Sequence, residues 1–415
     1  MTAINKKTPP IHTPMSQFQS NGEQLLVNGH PLNLLKHQAG QTPFYVYDRS
    51  VINQKIHLLR EKMPNELKLH YAMKANPMPA VVNFIRERVD GLDVASGNEL
   101  RVALNSGMNS SNISFAGPGK QAIELKTAVA SQTTVNVESF NELKTLTEIS
   151  DELGIRARVA IRVNPDFDLK SSGMKMGGGA QQFGIDAERV PEALQLVSDY
   201  GLHYRGLHIF TGSQNLNSDS IIDAHRAIFE LAYRLQQSAK SELEMLNIGG
   251  GLGIPYFPGE KPLVLDSIGE HLEPLIRQFK SDNGDVEIAM ELGRYIVADS
   301  GLYVCEVIDI KQSRGEEFVV VNGGLHQHLS ASGNFGQVIR KNYPVAIGNK
   351  MHQDCDKHVN IVGPLCTPLD LLANKYQLPQ VEVGDLVVIY QSGAYGFSAS
   401  PRDFLSHPQP TEILV

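Results

Sequence analysis

The 415-residue chain has no tryptophan, three cysteines and no long apolar run. Cys305, Cys355 and Cys366 are odd in number, and no two share a CxxC spacing. They supply neither a disulfide framework nor a zinc signature, and they point to a reducing compartment. No stretch reaches the ~18 consecutive apolar residues of a membrane-spanning helix. The opening MTAINKKTPPIHTP carries charge without the apolar centre of a signal peptide. Basic excess is absent too: 37 Lys and Arg face 45 Asp and Glu, a net charge of -8. That balance argues against nucleic acid or an anionic membrane as the main partner, while leaving room for a local basic pocket. The expectation is a cytoplasmic enzyme without a metal. With 41% hydrophobic residues, the length allows one large domain and a smaller one.

What is present is a recurring alternation. Residues 1–40 are polar, and EQLLVNGHPL predicts a short strand pair turning at Gly29. From residue 42 apolar runs recur: TPFYVYD, LKLHYAMKAN, GLDVAS, NISFAGP, TTVNVES, RVAIRVNP, RGLHIFTGS, EMLNIGGG and VEIAMELGR. Between them lie segments of helical period, among them SVINQKIHLLREKM, AIELKTAVA, SFNELKTLTEISDEL, ERVPEALQLVSDY and SIIDAHRAIFELAYRLQQS. Strand-then-helix units imply a parallel sheet, and about eight of them fit a closed (β/α)8 barrel better than an open sheet. Past residue 300, strands separated by glycine turns predict a β domain. The expected division is 1–41, contributing strands to that β domain, then 42–300 for the barrel and 301–415 for the C-terminal β domain.

Polar residues gather where the barrel strands should end: Lys74, Asp93, Ser96, Glu138, Asn164, Ser213, Gly249–Gly251, Glu291 and Arg294. Barrel enzymes build their sites on that rim. Lys74 in HYAMKAN is expected inside an apolar strand, where partial desolvation would lower its pKa and make it a nucleophile for a carbonyl. In isolation it is equally a lysine snorkelling at a strand end. NIGGGLG puts Gly249, Gly250, Gly251 and Gly253 after an apolar strand, suited to cradling a phosphate or simply to a tight turn. Pro255 and Pro258 follow too soon for a dinucleotide-binding helix. In ELGR, Glu291 could pair with a protonated pyridine nitrogen and Arg294 could grip a phosphate, although a surface ion pair is the simpler reading. Cys366 and Asp370 fall in a loop, GPLCTPLD, where the thiol is either an acid or a structural cysteine. Tyr395 stands between glycines in GAYGF.

Taken in order, YAMKAN, GLDVASGNEL, NVESFNEL, RVNP, FGI, GSQ, NIGGGLG, ELGR, GPLC and SGAYG resemble the fold-type III pyridoxal-phosphate (PLP) decarboxylases of the diaminopimelate, ornithine and arginine decarboxylase family. The matched blocks run from about residue 42 to 400. The resemblance implies a PLP-binding barrel with an alanine-racemase-like β domain, working as a homodimer. It makes Lys74 the Schiff-base lysine and Glu291 the partner of the pyridine nitrogen. Ser213, Gly250, Gly251, Gly293, Arg294 and Tyr395 become phosphate-side contacts, with Asp93 also in the cofactor site. Cys366 would reach the partner subunit's site and reprotonate the product carbon. Arg294, Arg340, Tyr343, Thr367 and Tyr395 would face the substrate.

Three departures narrow the expectation. Diaminopimelate decarboxylases carry HxHIGSQ, whereas LHIFTGSQ puts Phe210 at the ring-stacking position and His208 two residues earlier. Thr367 replaces a glutamate that contacts diaminopimelate's far end. The spacing of Arg340 and Tyr343 differs by one. The ending SGAYGFSAS and the loop GMKMGGGAQQFGID look more like the branch acting on conjugated amino acids, including carrier-protein-bound glutamate, siderophore-pathway and exosortase-associated decarboxylases. Decarboxylation of free or conjugated α-amino acids is therefore expected. A meso-diaminopimelate decarboxylase and a PLP-dependent racemase are the alternatives.

Overall fold

The computed structural model describes residues 10–167, 174–175 and 177–415. The chain forms two compact units, one of Ile52–Gly253 with Leu263–Val297, the other of Met1–Val51 with Ile254–Pro262 and Ala298–Val415.

The first unit is a closed parallel barrel. Its strands are β1 (Leu67–Ala72), β2 (Gly91–Val94), β3 (Ile113–Phe115), β4 (Thr134–Val137), β5 (Arg158–Asn164), β6 (His203–Ile209), β7 (Met245–Gly250) and β8 (Glu287–Leu292). Each pairs in parallel with the next, and β8 pairs with β1 to close the ring. Strands β2, β3 and β4 are buried along their whole length, as expected where side chains face either the packed interior or the outer helices. Three of the helices start on side-chain caps. Ser96 accepts from the Glu99 amide, Ser139 from Glu142 and Asn217 from Ser220. Thus Ser96, one of the rim residues, has a structural task.

Asp266–Asn283 forms an 18-residue helix that the apolar pattern does not announce. Pro274 within it and Gly269 near its start mask the helical signal. Gly269 is where the helix crosses another: a Cβ there would lie 1.8 Å from the Lys62 carbonyl oxygen.

The second unit is built on a mixed sheet in the order Val345–Ile347, Leu386–Ile389, Gly301–Ser313, Glu316–Val321, Lys357–Val362, Leu371–Leu378. The strand Phe44–Tyr47 lies antiparallel to the start of Gly301–Ser313 and parallel to Thr411–Leu414. TPFYVYD is therefore not a barrel strand, and the barrel unit starts at Ile52 rather than at 42. Local alternation identifies a strand without naming its sheet. The early pair Gln24–Val27 and His30–Pro31 forms as expected, turning through Asn28 (φ 47) and Gly29 (φ 79). Leu25, Val27, Leu32, Phe44, Val46, Leu302, Val304 and Val388 share one apolar core. Among the described residues, no helix is long and apolar enough to cross a membrane.

Candidate active site

Lys74 lies just beyond the end of β1, in the single 3-10 turn Met73–Ala75, rather than within the strand. Its neighbours Met73 and Ala75 are buried and fix the turn, while Lys74 itself is exposed. Its Nζ stands 5.5 Å from the centroid of the Phe210 ring. Phe210 follows the last residue of β6 and is buried. His208, inside the strand, is fully buried, and its Nε2 lies 3.3 Å from Glu291 Oε1. The two side chains therefore do different things: Phe210 faces the lysine at the rim and His208 sits against the carboxylate.

Glu291 is 7% exposed. Burial alone would oppose its ionisation, but the charges of His208, Lys74 and Arg162 outweigh that and hold the carboxyl at about 2. Asn247, inside β7, was not picked out by sequence reasoning. Its Nδ2 donates to Glu291 Oε2 at 3.5 Å and its Oδ1 accepts from the Gly249 amide at 2.8 Å. One side chain thus links the carboxylate to the glycine turn. Its sequence signal was an amide side chain amid the apolar run MLNIGG.

The glycine turn is a close approach of backbones. A Cβ on Gly250 would lie 1.9 Å from the Glu291 carbonyl oxygen, and one on Gly251 would lie 2.2 Å from that of Gly212. Gly251 also has φ 88, a left-handed backbone that glycine adopts at little cost. Beside it, Ser213 Oγ is buried and has no hydrogen-bond partner among the described residues. At Gly293 a Cβ would meet Ala72 O and Ala75 Cβ at 2.9 Å, so the ELGR turn packs on the Lys74 turn. Arg294 opens the short helix Arg294–Val297 and is half-buried.

Other rim residues hold the scaffold. Asp93, on β2, accepts from Ser114 Oγ and lies 3.4 Å from His70 Nδ1, and its Oδ2 is buried without a partner. Burial opposes protonation of His70, but the carboxylates of Asp93, Glu287 and Asp90 outweigh it and raise its pKa. Glu138 receives Arg162 Nη1 at 2.9 Å and the amide of Gly184 at 3.2 Å. Asn164 donates to Gly179 O and accepts from the Gly178 amide, so the later part of the glycine-rich loop is anchored. Residues 168–173 and 176, which include the loop's Gly173 and Met176, lie outside the described residues.

In the β unit, Cys366 is exposed in the loop after Lys357–Val362. Asp370 holds that loop, accepting from the amides of Leu365 at 2.9 Å and Leu325 at 2.6 Å. Thr367 is half-buried there. Arg340 donates to the Leu371 carbonyl. Tyr343 is buried among aromatic rings, 4.9 Å from that of Tyr256 and 5.6 Å from that of His328. Tyr395 is half-buried and has φ 61.

The barrel residues fit a group bearing an aldehyde, a flat ring with a basic nitrogen, and a phosphate. The lysine amine stands over an aromatic face, a carboxylate is kept ionised, and a buried hydroxyl beside the glycine turn has no partner among the described residues. A barrel with this set on its rim is a PLP enzyme of the barrel type. The model for the pyridoxal binding domain of pyridoxal-dependent decarboxylases matches residues 49–298. The chain belongs to this family, and its cofactor is PLP. It is 37% identical to the L-glutamyl-[BtrI acyl-carrier protein] decarboxylase of Niallia circulans over 381 residues, covering 90% of this chain and 89% of that one. It is 31% identical to the 2-[(L-alanin-3-ylcarbamoyl)methyl]-2-hydroxybutanedioate decarboxylase of Staphylococcus aureus, covering 92% and 96%. The diaminopimelate decarboxylase of Helicobacter pylori, solved with L-lysine, superposes with a TM-score of 0.81 at 28% identity over 92% of this chain and 94% of that one.

Proposed function

We propose that this decarboxylase acts on the α-amino acid moiety of a conjugate, such as an aminoacyl group on a carrier protein, in a specialised biosynthetic pathway. The observation that carries its chemistry is the Lys74 amine 5.5 Å from the Phe210 ring centroid, on the same rim as the ionised Glu291. Two relatives named for conjugated substrates, at 37% and 31% identity, support the substrate class. Thr367, where diaminopimelate enzymes carry glutamate, is a further support.

When bound, PLP supplies an electron sink for the pair left behind as CO2 departs. Lys74 provides the amine that would hold the cofactor's aldehyde carbon. Glu291, steadied by His208 and Asn247, keeps a proton on the ring nitrogen. Phe210 would offer the ring an apolar face without a hydrogen bond, and Asp93 would complete the cofactor side. Ser213 Oγ, the Gly250 and Gly251 amides, Gly293, Arg294 and Tyr395 take the phosphate. In a cytoplasmic homodimer, Cys366 of one subunit delivers the proton to the product carbon in the other, and Arg340, Tyr343 and Thr367 contact the substrate.

A second reading is meso-diaminopimelate decarboxylation. It is favoured by the 32% identity to the Aquifex aeolicus diaminopimelate decarboxylase over 94% of the chain. CO2 release from glutamyl-carrier protein and from meso-diaminopimelate, measured side by side, separates the two. Faster turnover of the free diamino acid would overturn the first.

A further inference from the structure

The segment Gly324–Ser332, with its GLHQHLSAS sequence, was not assigned a role by any motif. Its His328 is fully buried. The Ala331 amide donates to His328 Nδ1 at 3.3 Å, which makes that nitrogen an acceptor and puts the ring proton on Nε2. Nε2–H then donates to Ser392 Oγ at 2.8 Å, and Ser392 Oγ passes a hydrogen bond to the Ile389 carbonyl at 2.8 Å. Burial lowers the imidazole pKa to about 3, so the ring stays neutral through the working range. The same ring meets Tyr343 edge-on at 5.6 Å and Tyr303 at 5.4 Å, and lies 5.9 Å from Tyr45.

Ser392 begins the turn that carries Tyr395. Tyr395 holds φ 61, a left-handed backbone that a tyrosine adopts only when its surroundings impose it. A second tie lies on its other side. The Leu329 amide donates to Ser400 Oγ at 2.9 Å, and Ser400 Oγ donates to the Gly396 carbonyl at 2.6 Å. Adjacent residues His328 and Leu329 thus grip the turn before and after Tyr395.

We propose that His328 is a positioning residue. It clamps the Ser392–Gly396 turn so that Tyr395 meets the PLP phosphate, and it sets the ring of Tyr343 by edge contact. The proposal rests on the phosphate role given to Tyr395 above. His328→Phe keeps an aromatic ring and removes both hydrogen bonds. It should weaken PLP binding about tenfold, the size of one lost buried hydrogen bond, in a fluorescence titration of the cofactor-free protein. Ser392→Ala, which cuts the same bond from the other end, should match it. His328→Gln, whose amide N–H can reach Ser392, should bind within about threefold of the parent. A double variant with Tyr395→Phe should be no weaker than the weaker single variant, since both act on one contact.

The outcomes separate the two claims. If Tyr395→Phe leaves PLP affinity unchanged, the phosphate role of Tyr395 fails and the clamp loses its object. If Tyr395→Phe weakens binding while His328→Phe and Ser392→Ala do not, the clamp alone is refuted. Additive losses in the double variant would also refute it. Should His328→Phe fail to fold, Ser392→Ala against His328→Gln decides.

Discussion

Replacing Glu291 by Gln keeps the shape of the side chain and removes its charge. Because Glu291 is 7% exposed, its charge acts through protein rather than bulk water. A charge pair about 4 Å apart is worth roughly 4 kcal/mol at an effective dielectric near 20, against about 1 kcal/mol in water. Each ~1.4 kcal/mol is tenfold in rate, so kcat should fall about 10³-fold, or about 10²-fold if His208 and Asn247 reorganise around the amide. The assay is steady-state CO2 release at saturating PLP, with circular dichroism to confirm the fold. The stability of the same pair of proteins has a defined pH signature. The folded-state value of about 2 lies below the ordinary 4.5, so the carboxylate's contribution is fully present above pH 4.5. It is lost as pH falls toward 2, so the difference between parent and variant should shrink as pH drops below the ordinary 4.5. A kcat within threefold of the parent would refute the role of the charge.

Lys74→Ala should reduce turnover by at least ~10³-fold, and borohydride treatment with PLP, which labels the parent at residue 74, should leave that peptide unlabelled by mass spectrometry. Ser213→Ala removes a buried hydroxyl with no partner among the described residues; stability should change by no more than about 0.5 kcal/mol, while the PLP dissociation constant rises about tenfold in titration. Gly250→Ala forces a Cβ to within 1.9 Å of the Glu291 carbonyl oxygen; it should cost about 1–3 kcal/mol in urea unfolding and weaken PLP binding as the turn shifts off β8.

The barrel was legible because its strands are short and apolar, and most of them carry a polar residue near the rim. Three of the helices between them carry start signals, in Ser96, Ser139 and Asn217. What was not legible depends on pairing between distant segments. Phe44–Tyr47 alternates like any strand, yet its partners are Gly301–Ser313 and Thr411–Leu414. The double hydrogen bonding of Asn247 exists only once the register of β7 on β8 is set, with Asn247 opposite Ala289 and Gly250 opposite Glu291. The contest between His208 and Phe210 turned on where β6 stops. Ending at Ile209, it keeps His208 inside the barrel beside Glu291 and leaves Phe210 on the rim beside Lys74. The grip of His328 on Ser392 joins residues 64 positions apart, beyond the reach of any local pattern.

The most direct test of the account is CO2 release by the purified protein with PLP, offered glutamyl-carrier protein, other aminoacyl conjugates and free α-amino acids. Release should depend on PLP, be fastest from a conjugate and be abolished by Lys74→Ala. No release from any of them, or release that persists without Lys74, would contradict it.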